Sequence, residues 1–414
     1  MVMITDELRE QVKLLYAKNR RQVKGHLYTV PSEDTYPYQW LWDSCFHAVT
    51  LSYFDSQAAK AELRSLVSAQ FSNGMIPHMI YWQPVKKSFF PEISWGKRRT
   101  SSITQPPLIA AAVDKINARE PDLEFVKEMV PRIDKFHRYL FRHRDPRHTH
   151  LIGVINPDES GEDNSPRFDM ALGFTNPKHQ FVDNFSSRLK LVHDWRDARF
   201  VVKQRMDVRH WVRDVPINSI LCESLAITAR LADLVQEYEI ADWSYQKHLA
   251  MKQAMREKFY HDGLFLSTMG YGDALKVIPA KTWGIFMPLY AGLLSAAEAM
   301  TLVDSMLLNP ETFKTPYSVP TVAKNEPSFD PSGDWRGDWW TGTNWRGPVW
   351  MASNWLIIKG LRQYGFLEEA DRIAKDSLAL LKKSGFREYY DPLTGEGHGA
   401  AGFTWGGLVL DMWQ

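Results

Sequence analysis

Residues 370–385 read ADRIAKDSLALLKKSG. Ala370, Ile373, Ala374, Ser377 and Leu381 recur at three- and four-residue intervals, which lays them on one face of a helix. Gly385 then supplies the C′ residue that ends such a helix, since glycine enters the left-handed region without a Cβ clash. The same period recurs upstream. Leu63, Leu66, Val67 and Phe71 form one stripe, Met129, Ile133, Phe136 and Leu140 a second, and Leu221, Leu225, Ala229, Ala232 and Val235 a third. Ser295 followed by Glu298 reads as a capping box ahead of Met300–Leu307. Strand patterns are few. Phe386, Glu388 and Tyr390 alternate with Arg387 and Tyr389 ahead of Asp391-Pro392 and Thr394-Gly395, which predicts a short hairpin or an extended loop. The fold class expected is all-α.

About a dozen helical segments can be traced in this way. No low-complexity linker and no fixed-period repeat divides the chain, so residues 1–414 are expected to form a single catalytic domain. About twelve helices joined by long loops fit a double ring, six inner and six outer, an (α/α)6 barrel with its loops gathered at one mouth. The aromatic, Gly- and Pro-rich loops are Tyr28–Ser44, Tyr81–Pro107 and Phe329–Trp350, and a fourth, Leu151–Asp169, is acidic.

Charge excludes several function classes. Fifty Lys and Arg against 49 Asp and Glu leave a net charge of +1, which predicts no nucleic-acid or membrane-surface partner. The N-terminus turns polar too soon for a secretory signal, and no apolar run approaches a membrane span. Two distant cysteines, Cys45 and Cys222, cannot make a disulfide framework, so the cytoplasm is the compartment expected.

Aromatic residues make up 13% of the chain, and many tryptophans sit beside Gly and polar residues: Trp40, Trp42, Trp82, Trp95, Trp335, Trp339, Trp340, Trp345 and Trp350. Such positions are poor for a core but suit a sugar, with its apolar C–H faces and polar rim. Glycoside hydrolysis by inversion needs one carboxyl to protonate the leaving oxygen and a second to activate water, roughly 6.5–9.5 Å away. Three stretches offer carboxyls. Asn156–Arg167 is an acidic run among Gly, Pro and Ser, which is otherwise a solvated turn. Glu388 lies among aromatics that desolvate it, unless it pairs with Arg387. Asp43 follows a Trp pair at the start of a helix, where it either caps the helix or holds sugar hydroxyls.

Six motifs then occur in order: the Asp43 stretch, Gly74-Met75-Ile76-Pro77-His78, Thr104-Gln105-Pro106-Pro107, Glu159–Arg167, Trp345-Arg346-Gly347-Pro348-Val349-Trp350 and Glu388-Tyr389-Tyr390-Asp391. Together they span nearly the whole chain and resemble glycoside hydrolase family 63, and more distantly the family 37 trehalases. The short length without an appended β-domain looks most like the bacterial mannosylglycerate and glucosylglycerate hydrolases. The resemblance implies the (α/α)6 barrel and inversion of the anomeric centre. It places Asp163 at the general acid and Glu388 at the general base. It places Tyr36, Trp40 and Asp43 around the non-reducing sugar, Trp345, Gly347 and Trp350 in a wall, and Gln105 near the leaving group, with His78 in the adjoining loop motif. It is also compatible with a homo-oligomer. Two departures fall on the leaving-group side: Asn344 stands where glycerate-specific members usually carry Tyr, and their Arg-Pro-Thr and Tyr-Asp-Arg-Tyr signature is absent from the corresponding stretch, Arg209–Asn218.

The reading is therefore an inverting α-glycosidase of a small glycoside, glucosylglycerate or mannosylglycerate first, with no cofactor and no metal. Asp163, protonated, donates to the glycosidic oxygen, and Glu388, ionised, takes a proton from water. A glycerate carboxylate would need a cation, for which Arg209 and Arg213 are candidates, ahead of Lys97, Arg98 and Arg99. His143, His148 and His150 lack ligand partners and lie among arginines that repel a cation. Asp330, Asp334 and Asp338 do not match a calcium-loop spacing. The alternatives are an α-glucosidase of kojibiose or trehalose type, a sugar isomerase or epimerase using His47, His78 or His398, and an inactive carbohydrate-binding protein.

Overall fold

A computed structural model of the protein describes residues 5–83, 99–179, 181–204, 211–270, 274–331 and 344–414. The described residues are mostly helical. In chain order the helices are α1 (Asp6–Asn19), α2 (Leu41–Leu51), α3 (Ser56–Ser68), α4 (Ile109–Arg119), α5 (Leu123–Arg144), α6 (Asp169–Leu172), α7 (Phe181–Asp197), α8 (Val215–Leu234), α9 (Tyr238–Phe259), α10 (Met287–Tyr290), α11 (Ala296–Leu302), α12 (Met351–Gln363) and α13 (Leu367–Ser384).

They are of two kinds. α3, α5 and α13 bury one stripe and leave the other face to water, and side chains cap the first two: Asp55 accepts from the Ala58 N–H and Asp122 from the Phe125 N–H. The predicted stripes of α5 and α13 are buried as expected, Gly385 ends α13, and the Ser295–Glu298 capping box opens α11. Phe71 falls beyond α3, in a turn closed by its N–H on the Met75 carbonyl. The second kind is buried all round. Every residue of α2 is buried, as are most of α8 and α12. A helix with no solvent face has no polar stripe to show. Hence the predicted stripe of α8 is too narrow: Ile217, Ile220, Ile227 and Leu231 are buried as well, whereas Ala229 is only half-buried. Among the described residues α8 alone is long and apolar enough to cross a membrane, but 83% of its apolar window lies inside the fold.

Sequential helices pack as hairpins, α2 with α3, α4 with α5, α8 with α9 and α12 with α13. The fully buried helices also touch in succession, α2 on α4, α4 on α8, α8 on α10 and α10 on α12. The closing turns Thr404–Asp411 lie against both α12 and α2, and α1 packs on those turns.

Very short strands knit the loops. Gln39–Trp40 pairs with Met79–Ile80, and Val349 bridges to Tyr390. Of the two shapes expected at Gly385–Tyr390 the hairpin is found, Arg387–Tyr390 against Gly397–Ala401. A register shift between Arg387 and Tyr389 breaks the alternation, so Glu388, Tyr389 and Tyr390 are all buried.

Asp411 fastens the last turns to the rest. Its buried carboxylate accepts from the Tyr53 hydroxyl at 2.8 Å, the Trp355 indole at 2.9 Å and Arg119 at 2.9 Å, with Lys115 and Lys359 alongside. Burial alone would raise this carboxyl, but Lys359 and Lys115 hold it down to about 2. A carboxyl held below its unfolded value stabilises the fold above pH 4 and loses that contribution as pH falls towards 2. Asp411→Asn is therefore expected to cost about 2–4 kcal/mol at pH 7 by leaving three cations uncompensated. Denaturant titration should show the difference from wild type shrinking below pH 4.

Candidate active site

One cavity of about 500 Å³, its open mouth included, gathers residues distant in sequence: Pro31, Tyr36, Trp40, Trp42 and Asp43; His78; Gln105; Asp158, Gly161 and Asp163; Trp345 and Trp350; Glu388; and Phe403 and Trp405. Of the expected site residues, Asp163, Glu388, Tyr36, Trp40, Asp43, His78, Gln105, Trp345 and Trp350 meet here.

The acidic loop is not a solvated turn. Asn156 accepts from the Asp158 N–H and starts a single 3-10 turn, Pro157–Ser160, which Gly161 closes with φ 76°. A Cβ on Gly161 would stand 2.3 Å from the Trp42 ring, so both conformation and space require glycine. Glu159 turns inward and takes Arg144 at 2.7 Å, together with the N–H groups of Thr104 and Ile155. Glu162 takes Arg167 at 2.7 Å and the Trp283 indole, and Arg167 continues to Asp214. Asp158 and Asp163 are left facing the cavity, both held by Arg188. Asn164 joins this loop to the aromatic wall by accepting the Trp345 N–H at 2.8 Å.

The wall is layered. Trp345 and Trp350 stack with centroids 4.0 Å apart and 7° between planes, and Trp405 packs on Trp42, Trp345 and Trp350. Trp42, Trp345 and Trp350 belong to the core as well as to the cavity, so the choice between core and sugar contact was a false one. Asn344 is buried beneath them, taking the Trp350 indole N–H on its carbonyl and the Arg346 N–H on its side chain. Its departure from the family's Tyr thus falls outside the cavity lining.

Both oxygens of Glu388 accept hydrogen bonds: one from the Tyr36 hydroxyl at 2.8 Å, the other from the Ala400 N–H at 2.8 Å. The pairing with Arg387 considered from sequence does not form, since Arg387 donates to the Gly399 carbonyl instead.

Asp43 is the third residue of α2 and not its cap, which is Trp40 and offers no side-chain bond. Its carboxyl accepts from the Trp405 indole at 2.7 Å. Burial pushes it up to about 6, against the pull of His47 and of that indole. Gln105 is anchored by the Trp42 N–H. His78 is held at about 3 by burial, so its imidazole is neutral at physiological pH. His47 and His398 do not line the cavity, which leaves the isomerase alternative without a titrating histidine pair among the described residues.

Two expected residues are absent from the described lining. Arg213 is buried on a short strand, Val212–Arg213, where it donates to the Gly270 carbonyl and does not reach the cavity. Gly347 supports the wall from behind, because a Cβ there would meet the Asp330–Pro331 backbone at 2.7–2.8 Å. Arg209, Lys97, Arg98, Trp95, Trp335, Trp339, Trp340, Asp334 and Asp338 lie outside the described residues. Among the described residues no Lys or Arg lines the cavity, and no three His, Cys, Asp or Glu are grouped to hold a metal ion. Sequence reasoning passed over Asp158 and Trp405. The signal for Asp158 was its position in the acidic run. Trp405, in an apolar stretch near the C-terminus, reads as core.

Comparison with known proteins identifies the family. The family of the mannosylglycerate hydrolase MGH1-like glycoside hydrolase domain matches residues 36–406. A mannosylglycerate hydrolase of Thermus thermophilus is 33% identical over 93% of this chain and 96% of its own. A glucosylglycerate hydrolase of Mycolicibacterium hassiacum is 26% identical over 91% of this chain and 92% of its own. The crystal structure of a family 63 mannosylglycerate hydrolase from Thermus thermophilus in complex with Tris and D-glycerate superposes with a TM-score of 0.84 at 32% identity, covering 98% of this chain and 99% of that one.

The raised carboxyl of Asp43 opposes function and stability. A carboxyl whose folded value lies above its unfolded one stabilises the fold below about pH 4 and loses that contribution as pH rises through about 6. At pH 7 its ionised form is a burden on the fold. Asp43→Asn is expected to stabilise the protein at pH 7 by about 1–3 kcal/mol, with the gain vanishing below pH 4, while abolishing turnover. Thermal melts at pH 4 and 7 beside an activity assay check both halves.

Proposed function

The chain belongs to the family of the mannosylglycerate hydrolase MGH1-like glycoside hydrolase domain and is a glycoside hydrolase of small glycosides, and we propose that it cleaves an α-linked glycerate glycoside with inversion. The observation that carries this is the convergence of Asp163 and Glu388, from opposite halves of the sequence, on one aromatic cavity. In this reading Asp163 protonates the glycosidic oxygen as its bond to the anomeric carbon breaks. Glu388, steadied by Tyr36 and Ala400, removes a proton from the water that attacks the other face. Asp43 accepts two sugar hydroxyls. The tryptophan faces and the carboxylates stabilise positive charge developing on the ring. No step needs a metal or cofactor.

The same reading takes residues 1–414 as one (α/α)6 barrel. Its support is the succession of helix contacts from α2 through α4, α8, α10 and α12 to Thr404–Asp411 and back to α2, with α3, α5, α9, α13 and α1 packed outside α2, α4, α8, α12 and the closing turns. It also takes the cytoplasm as the compartment, since both cysteines are free and buried.

Whether glucosylglycerate or mannosylglycerate is preferred turns on the hydroxyl at Asp43. A second reading, an α-glucosidase of kojibiose or trehalose type, is favoured by one observation: among the described residues no cation lines the cavity to meet a glycerate carboxylate. Proton NMR of the enzyme with glucosylglycerate, mannosylglycerate, trehalose, kojibiose and nigerose separates them. One α-glycoside should be consumed and the β-anomer should appear first. Asp163→Asn and Glu388→Gln should each slow turnover by about 10²–10⁴-fold. Early release of the α-anomer would sink inversion, and a free sugar changing identity without cleavage would restore the isomerase.

A further inference from the structure

The short strands that carry Trp40 have a second cavity on their other face. It measures about 730 Å³, its open mouth included, and Lys24, His26, Trp82 and Arg99 are among the residues that line it. Gln39–Trp40 pairs with Met79–Ile80, and Ile80 bridges in turn to Thr100. Side chains along such a ribbon alternate between its faces. Trp40 packs with Met79 and Tyr81 and lines the sugar cavity. Ile80, Trp82 and Thr100 line the second cavity. The two cavities share no lining residue among those described.

An aromatic platform stands ready in this second cavity. The half-buried Trp82 stacks on His26 with centroids 3.5 Å apart and 16° between planes, and its indole N–H donates to Gln39 Oε1 at 2.7 Å. His26 is placed by the hairpin of Arg20–Val23 with His26–Thr29, and its Nδ1 lies 3.4 Å from the Ser68 hydroxyl. A ring fixed at its edge and on one face loses little freedom when a ligand packs on it. Two exposed cations complete the lining. Lys24 sits in the turn of that hairpin, which it and Gly25 form with φ of 51° and 84°. Arg99, the described member of the Lys97-Arg98-Arg99 run, lines this cavity and not the sugar cavity. Neither cation makes an ion pair among the described residues, and no Asp or Glu lines the cavity. In a chain of net charge +1, this positive lining is a local feature.

We propose that this second cavity is a non-catalytic binding site for a small anionic sugar, a pyranose ring that carries a carboxylate or a phosphate. The apolar C–H face of the ring packs on the Trp82–His26 platform. Lys24 and the fork of Arg99 meet the anion, for which a guanidinium is geometrically suited. A neutral sugar would gain the platform alone, and a bare anion the cations alone, so the pair selects a ligand that has both. No bond is made or broken here. The proposal stands apart from the roles of Asp163 and Glu388, because neither residue lines this cavity.

The test is calorimetric titration of Asp43→Asn protein, whose sugar cavity lacks a carboxyl, with four probes: methyl α-glucoside, methyl α-glucuronide, glucose 1-phosphate and inorganic phosphate. Methyl α-glucuronide or glucose 1-phosphate should bind at one site per chain, and the tighter of the two names the anion. That probe should bind at least about tenfold more tightly than methyl α-glucoside, which lacks the charge, and than inorganic phosphate, which lacks the ring. Adding Lys24→Ala and Arg99→Ala together should weaken it by at least about tenfold. Both side chains are exposed and free of ion pairs, so this variant should melt with its parent, and Arg99→Glu alone gives a second reading of the same loss. Four results would each overturn the proposal: neither anionic sugar binds, the cation variants bind it unchanged, the neutral glycoside binds equally well, or inorganic phosphate does. Turnover by the wild-type enzyme is read separately, so failure of the hydrolase assignment and failure of this site are distinguishable.

Discussion

Three guanidinium groups, of Arg144, Arg167 and Arg188, are buried beneath the loop that carries the acid, and each meets carboxylates of that loop at 2.6–2.8 Å. Four carboxyls in the eight residues from Asn156 to Asp163 could not leave water unpaired, because an isolated buried carboxylate is far too costly. The arginines come from α5, from the loop itself and from α7, so neutralising the loop also fixes where it sits against the helices. Breaking one pair would strand the remaining charge in the interior, which costs more than the pair contributes. The loop is accordingly rigid for an electrostatic reason before it is rigid for a packing one.

That rigidity passes to the sugar cavity through a few contacts. Gly161 fits against Trp42 with no room for a methyl group, and Asn164 takes the Trp345 N–H. Trp345 stacks on Trp350, whose neighbour Val349 is bonded to Tyr390 two residues beyond Glu388. Asp163 and Glu388 are thus joined by a short relay of backbone bonds and stacked rings. Preorganisation of this kind is what lets two carboxyls act on opposite faces of one ring. The two aspartates with opposite shifts mark the contrast between site and scaffold. Asp411, surrounded by cations, is held down and braces the fold. Asp43, buried with little charge compensation, is held up and burdens it.

What could be read in the sequence follows from these physics. Helices with a solvent face declared themselves, because α5 and α13 must alternate polar and apolar residues every turn. α8 and α12 bury most of their residues, so the stripe read on α8 is narrower than its buried face, and the extent of burial could not be apportioned from the pattern. The two-residue strand at Gln39–Trp40 is too short for alternation to register, yet it is what brings Tyr36 and Asp43 to His78. Asp163 and Glu388 stood out through their motifs, and both line the cavity. Asp158 did not, because an acidic run gives no sign of which members turn inward, and Arg188, its partner, lies thirty residues on in an unremarkable helix. Arg213 shows the same limit: a cation near the expected leaving-group stretch looked available from sequence, and the fold places it on a short strand where it donates to the Gly270 carbonyl.

The manner of arginine contact sorts the four carboxyls better than their order in the sequence. Glu159 and Glu162 each take two guanidinium nitrogens and further N–H donors, which fills their lone pairs and leaves nothing to react. Asp158 and Asp163 divide a single nitrogen and keep a face towards the cavity. A carboxyl that must gain and lose a proton within each turnover cannot be locked in a bidentate fork, since the fork stabilises only the ionised form. The two forked neighbours thus neutralise the loop for the fold, and Asp158 and Asp163 are the carboxyls of the run that reach the cavity.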